Sequence, residues 1–177
     1  MTIQTQNLIL APYLPRQLRA LIRSTEDFEN TAGLRVADGV REQFLSASSD
    51  FMRRVESGKQ ADPWLFGFAV VHKIDNVLMG TCGFPGPPDS NGVVEIAYGI
   101  APSYQGRGYA TEAAMVLLEF ASKDPRVKTI CAHTLAETNA STRVLEKCGF
   151  KKTGDAIDPE NNLPVWRWEH VVSSRTK

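Results

Sequence analysis

The stretch VVEIAYGIAPSYQGRGYATEAAMVLLEFA, residues 93–121, limits more than any other what this chain can fold into. Apolar residues alternate up to Ile100, Pro102 stops the run, Gly106 and Gly108 follow, and apolar residues then recur at helical spacing. The pattern dictates a strand, a glycine turn and a helix. Such a joint aims unpaired backbone N–H groups and the positive end of the helix dipole at one point. An anion is the expected ligand, phosphate the commonest. A tight turn that needs only glycine geometry is the alternative.

Two phosphate-binding patterns fail on the residues. A Walker loop requires Gly-Lys followed by Ser or Thr, and that tripeptide does not occur. A dinucleotide fingerprint requires a third glycine where Thr111 stands. It also requires an acid at the end of the next strand, and CAHTL has none before Glu137. Neither a P-loop nucleotide nor NAD is expected.

The rest of the chain reads as a mixed α+β domain. LILAPY (8–13) predicts a short strand ended by Pro12 and Pro15. Helical spacing runs from Pro15 to about Glu29 and from about Asp38 to Glu56. WLFGFAVVH (64–72) and VLMGTCGF (77–84) flank KIDN and predict a hairpin; PGPPDSNG (85–92) is a loop. After the third strand, 93–101, a helix is expected from Ala110 to Lys123, its Ala113, Ala114 and Leu117 set to pack on a sheet. Strand 127–135, a short helix over 141–147 and a last strand over 165–172 complete the order.

Composition narrows the function. At 177 residues, one domain over 1–177 is expected, long enough to bury a core. Zero formal net charge removes the electrostatic basis for nucleic-acid or membrane-surface binding. The run AAMVLLEFA is too short to span a bilayer, and MTIQTQNLIL lacks the regions of a signal peptide, so a cytoplasmic address is expected. Cys82, Cys131 and Cys148 form no CxxC pair and read as buried free thiols. Cys131-Ala132-His133 comes nearest to metal-ligand spacing. It offers two ligands where zinc takes four, so no metal is expected.

One phosphate pattern remains. Gln105-Gly106-Arg107-Gly108-Tyr109-Ala110 is Q-x-x-G-x-A, which resembles the coenzyme A pyrophosphate loop of the GNAT superfamily of N-acetyltransferases. With HTLAETNASTRVLEKCGFKKTG at the right distance, the likeness covers about 93–154 and resembles the branch of ribosomal-protein and spermidine acetyltransferases. The resemblance implies an α+β GNAT fold: a mixed, mostly antiparallel central sheet, helices on both faces and a splayed strand pair that binds the coenzyme. It implies acetyl-CoA as co-substrate and an amine acceptor, peptide or small molecule. Backbone amides from Gly106 to Thr111 would cradle the pyrophosphate, and Ile100 and Ala101 would border the pantetheine gap. Arg107 would reach a coenzyme phosphate or stand solvated. Asn139 would bond pantetheine or cap the helix after it.

Acetyl transfer needs a neutral amine, a polarised thioester carbonyl and a route for the departing thiolate. Along VVEIAYGI one face carries Val94, Ile96, Tyr98 and Ile100, the other Glu95, Ala97 and Gly99. A carboxylate beside two small residues suits a pocket, and it matches the family's acidic residue on this strand. Glu95 is therefore the candidate base, with a half-exposed surface glutamate as the alternative. Backbone N–H groups near Ile100 and Ala101 are the candidate oxyanion donors. Ser141 is the candidate acid or a capping residue; relatives' tyrosine on this helix is Leu145 here. Phe28, Phe44, Phe66, Trp64, Trp166 and Trp168 are candidates for an acceptor pocket or for core. A monomer or homodimer is expected. A non-catalytic acyl-CoA-binding sensor would share the loop and lack the chemistry.

Overall fold

A computed structural model describes residues 1–173. β1 (Ile3–Gln4) and β2 (Leu8–Pro12) open the chain, and α1 (Pro15–Arg23) and α2 (Thr25–Ala32) follow. The helical spacing over 15–29 thus resolves into two helices. Ser24 lies between them in extended conformation and accepts from Asp27 N–H, so it caps the second. β3 (Arg35–Val36), α3 (Glu42–Leu45) and α4 (Ser49–Ser57) come next, with Ser48 capping α4. The expected single helix over 38–56 is broken for the same reason: a serine hydroxyl competes for backbone N–H groups.

The strand expected to start at Trp64 begins later. Pro63–Phe66 is a short helix, α5, with Asp62 as N-cap and Pro63 in its first turn; β4 then runs Phe68–His72. β5 (Val77–Gly83) completes the expected hairpin. Residues 93–100 form two strands, β6 (Val93–Glu95) and β7 (Ala97–Ile100), joined at Ile96. A 3-10 turn (Pro102–Tyr104) leads to the glycine turn and α6 (Tyr109–Ser122). β8 (Thr129–Leu135), α7 (Ala140–Lys147), β9 (Lys151–Ile157) and β10 (Pro164–Val171) follow. β9, KKTGDAI, was not expected. It pairs with β10 alone at a sheet edge, where a polar strand is stable and shows no apolar alternation.

The mixed, mostly antiparallel sheet expected from sequence is divided into two parts where its strands splay. One holds β1, β2, β4 and β5 in that order, with β3 and β7 both on β5. The other has the order β6-β8-β10-β9, parallel between β6 and β8 and antiparallel elsewhere. β4 is buried along its whole length, because helices cover both faces. Phe68 and Val70 pack towards Ala113, Ala114 and Leu117 of α6. Ala69 and Val71 pack with Leu18, Leu21, Phe28 and Phe44 from the early helices. The small residues of α6 allow it to lie close to the sheet.

Glu112, in the first turn of α6, ties the helix to the chain start. Its carboxylate accepts from the Thr5 hydroxyl, from Asn7 N–H at 2.8 Å and from the Asn7 side-chain amide at 3.0 Å. Burial alone would raise the Glu112 carboxyl, but these bonds outweigh it and hold it below the ordinary range. A depressed folded-state value means the stabilisation is complete at neutral pH and is lost as pH falls through that value. Glu112→Ala is expected to cost about 2–3 kcal/mol, lowering Tm by roughly 5–10 °C. Thermal unfolding checks this, and the gap to wild type should narrow in acid.

Candidate active site

The splay begins at Ile96. Its N–H still donates to Cys131 O at 2.9 Å, and beyond it the chain leaves β8 and joins β5. Ala101 N–H donates to Met79 O at 2.7 Å. By the alternation of an antiparallel pair, the Ile100 N–H and both backbone groups of Tyr98 then point away from β5, into the gap. The Ile100 carbonyl is taken by the Gln105 side-chain amide at 2.9 Å. Ala101 was expected to border the gap and to offer a donor there. It does neither: its N–H is spent in the sheet and its side chain is fully buried.

The gap widens into a cleft of about 550 Å³ between β7, the glycine turn and α7. Ile100, Gln105, Gly106, Gly108, Tyr109, Ala110, Thr111 and Ser141, all named from sequence, line it. Gly106 and Gly108 have φ of 75° and 83°, which side chains rarely adopt, and no atom stands within 4 Å of where a Cβ would sit. Among the described residues, no backbone N–H from Gly106 to Thr111 bonds a backbone carbonyl; the next, Glu112, donates to Gly108 O. Six such amides at the start of a 14-residue helix suit a diphosphate. Arg143 and Lys147 of α7 line the same cleft and add positive charge; sequence reading missed both. Their spacing of four on a short helix was the available signal.

Other expected residues separate. Arg107 is exposed, its guanidinium 5.8 Å from the Tyr104 ring centroid, and it lies outside the lining. Asn139 caps α7, its Oδ1 accepting from Thr142 N–H at 3.1 Å, and it too lies outside the lining. Since Asn139 is the cap, Ser141 is not, and Ser141 is among the residues that line the cleft. Behind the turn, the Tyr109 hydroxyl meets His72 Nε2 at 3.0 Å and the Tyr104 hydroxyl donates to Asp75 at 2.8 Å, bracing both ends of the loop.

A second cleft, of about 380 Å³, meets the first where Gln43, Tyr98 and Gly99 line both. Gly99 and Gln43 approach closely here: a Cβ at Gly99 would stand 2.5 Å from the Gln43 side-chain oxygen, so the Gln43 side chain would have to move. Phe44 and Phe66 line this cleft, whereas Phe28 and Trp168 are core and Trp64 packs on Phe84 and Phe120. Ala97 and Gly99 of β7 line it, whereas Glu95, two residues earlier at the end of β6, is outside the lining of both clefts. Glu95 is half-exposed and 2.8 Å from His133 Nδ1. His133 was read from sequence only as part of a weak metal spacing. Among the described residues no group of three potential metal ligands occurs.

The sequence matches the family model described as an acetyltransferase (GNAT) domain over residues 7–151. The chain belongs to the GNAT acetyltransferase family. An uncharacterized N-acetyltransferase of Bacillus subtilis, YjdG, is 35% identical over 92 residues, covering 52% of this chain and 52% of that protein. The chain thus spans about half the length of the curated relatives it matches first. Among solved structures, a ribosomal-protein-S5-alanine acetyltransferase from Vibrio fischeri superposes with TM-score 0.69 at 14% identity, covering 100% of both chains. RimL, a ribosomal L7/L12 alpha-N-protein acetyltransferase in complex with coenzyme A, superposes with TM-score 0.69 at 15% identity over 97% of this chain and 98% of that one. The GNAT fold expected from the loop motif is the fold observed.

Burial raises all three thiols of this GNAT chain: Cys131 to about 11, with Cys82 above its ordinary range and Cys148 also shifted up. Burial likewise raises the Tyr98 phenol, which stays protonated with its hydroxyl towards Ser141 O at 3.4 Å. Tyr98 is partly buried against the core and is a wall of both clefts. No helix among the described residues is long and apolar enough to cross a membrane.

Proposed function

We propose that this protein is an acetyl-CoA-dependent N-acetyltransferase that moves the acetyl group directly to a primary amine. The observation that carries the proposal is the meeting of two clefts at Gln43, Tyr98 and Gly99. One cleft ends in the amide row of Gly106 to Thr111. The other is lined by Ala97 and Gly99 of β7, and Glu95 stands two residues before Ala97 on the same chain segment. The amide row, with Arg143 and Lys147, holds the coenzyme phosphates. The outward N–H and C=O groups of β7 pair with pantetheine, and Ile100 N–H donates to the thioester carbonyl.

The amine nitrogen attacks the carbonyl carbon, the C–N bond forms and the C–S bond breaks, and its electron pair leaves on sulfur. The amine's proton passes through water to Glu95, which His133 holds in place. Ser141 donates a hydrogen bond to the departing sulfur. A thiol of pKa about 8.5 leaves readily as thiolate and takes its proton from water. The raised thiols favour direct transfer over an acyl-enzyme, because an acyl-enzyme needs a thiolate nucleophile.

Thermal unfolding with coenzyme A, acetyl-CoA, NAD and ATP tests the cradle. Ligand at 100 times its Kd adds about 2.7 kcal/mol, and only the two coenzyme A species are expected to raise Tm. Thiol release from acetyl-CoA on adding amines then tests catalysis. Stabilisation without release with any amine would leave the acyl-CoA-binding module in its place.

A further inference from the structure

In the proposed transferase the second cleft receives the acceptor, and the choice of acceptor inferred from its walls rests on that reading. Those walls include Phe44, Phe51, Phe66 and Phe84, with Phe44 and Phe51 stacked at 6.1 Å between centroids. Among the described residues that line the cleft, none is acidic. Gln43, Thr81 and Tyr98 supply its polar side chains, and two of these stand at the junction with the coenzyme cleft. At the outer end, Arg54 donates to the Pro85 carbonyl at 2.9 Å and stands 5.8 Å from the Phe51 ring centroid. Pro85 and Phe51 both line the cleft, so a fixed positive charge flanks its outer wall.

Such walls sort amines by chemistry. An aromatic or branched apolar body sheds water on entry and gains contact with four phenylalanine rings. A polyamine would have to strip its second and third ammonium groups of water against rings, with no carboxylate in the cleft lining to receive them; beyond Pro85, Asp50 stands beside Arg54 but is already paired with Arg53. A single ammonium at the inner end meets the polar side chains of Gln43 and Tyr98 at the junction.

We propose that the acceptor is a monoamine carrying an aromatic or bulky apolar body, seated in the Phe44–Phe51–Phe66–Phe84 cleft with its nitrogen at the Gln43–Gly99 junction. Polyamines are poor acceptors. Phe51 is the specificity-determining residue most open to test, because it is only partly buried on the short helix α4.

Thiol release at saturating acetyl-CoA is measured with phenethylamine, ethylamine and spermidine at one pH, corrected for amine ionisation. Phenethylamine should exceed ethylamine in kcat/KM on the order of 10- to 100-fold, with spermidine well below phenethylamine. Phe51→Ala should shrink the phenethylamine-to-ethylamine ratio about 10-fold, chiefly through KM. Calorimetric titration of the same amines into protein saturated with coenzyme A reads the cleft without turnover. Tighter binding of phenethylamine, weakened in Phe51→Ala, supports the proposal even if no amine is acetylated, in which case the transferase reading alone falls. Equal or tighter binding of ethylamine or spermidine overturns the proposal, and turnover of those amines would leave the transferase reading standing.

Discussion

Gly108→Val is expected to abolish measurable coenzyme A binding, weakening it at least about 100-fold. Gly108 stands at φ 83°, immediately before the first residue of α6. A β-branched residue in that region carries roughly 1–3 kcal/mol of strain, and relief of it re-aims the neighbouring N–H groups. The loss of even two hydrogen bonds to charged oxygens, about 1.5–3 kcal/mol each, accounts for the expected factor. The valine side chain also enters space that the protein leaves open on this side of the turn. Calorimetric titration with coenzyme A measures the effect, with circular dichroism to establish that the variant is folded. Wild-type affinity in a folded Gly108→Val protein would remove the turn from the coenzyme site.

Glu95→Gln is expected to lower kcat on the order of 100-fold while the Kd for coenzyme A stays at its wild-type value. The glutamine oxygen can still accept from His133 Nδ1–H, so the geometry at 2.8 Å is largely kept and the proton acceptor alone is lost. The size of the drop depends on the amine. An α-amine is neutral in roughly one molecule in seven at pH 7, a lysine-like amine in fewer than about one in a thousand. Turnover of the variant should therefore track the neutral fraction of the acceptor and rise steeply with pH. Single-turnover thiol release across pH distinguishes this from a binding defect. An unchanged kcat over the whole series takes Glu95 out of the chemistry.

The features behind these two expectations differ in how far they were legible. The strand–turn–helix of residues 93–121 could be read from spacing alone, because alternation, proline, glycine and helical periodicity are local signals. The amides from Gly106 to Thr111 follow from it directly, since a helix start leaves them without carbonyl partners. The caps that split the early helices were present as Ser24 and Ser48, and Asp62-Pro63 marked α5, yet apolar periodicity runs across them and hides the breaks. β9 left no apolar signal because an edge strand of charged residues has no face to bury.

What the sequence by itself determined is the family, the glycine turn with its row of amides and the alternation along residues 93–100. The turn and the alternation depend on residues within a few positions of one another, and the family on two local motifs at a fixed separation along the chain. The tertiary structure alone decided that the splay begins at Ile96, because alternation is the same in β6 and β7 and only their distant partners, β8 and β5, differ. It decided that Ala101 spends its N–H on Met79 and that Asn139 spends its oxygen on a cap. It brought His133 to Glu95 across 38 residues, and Gln43 to Gly99 where the two clefts join. Contacts of that range are set by how sheets and helices pack, and no local pattern of residue types encodes them.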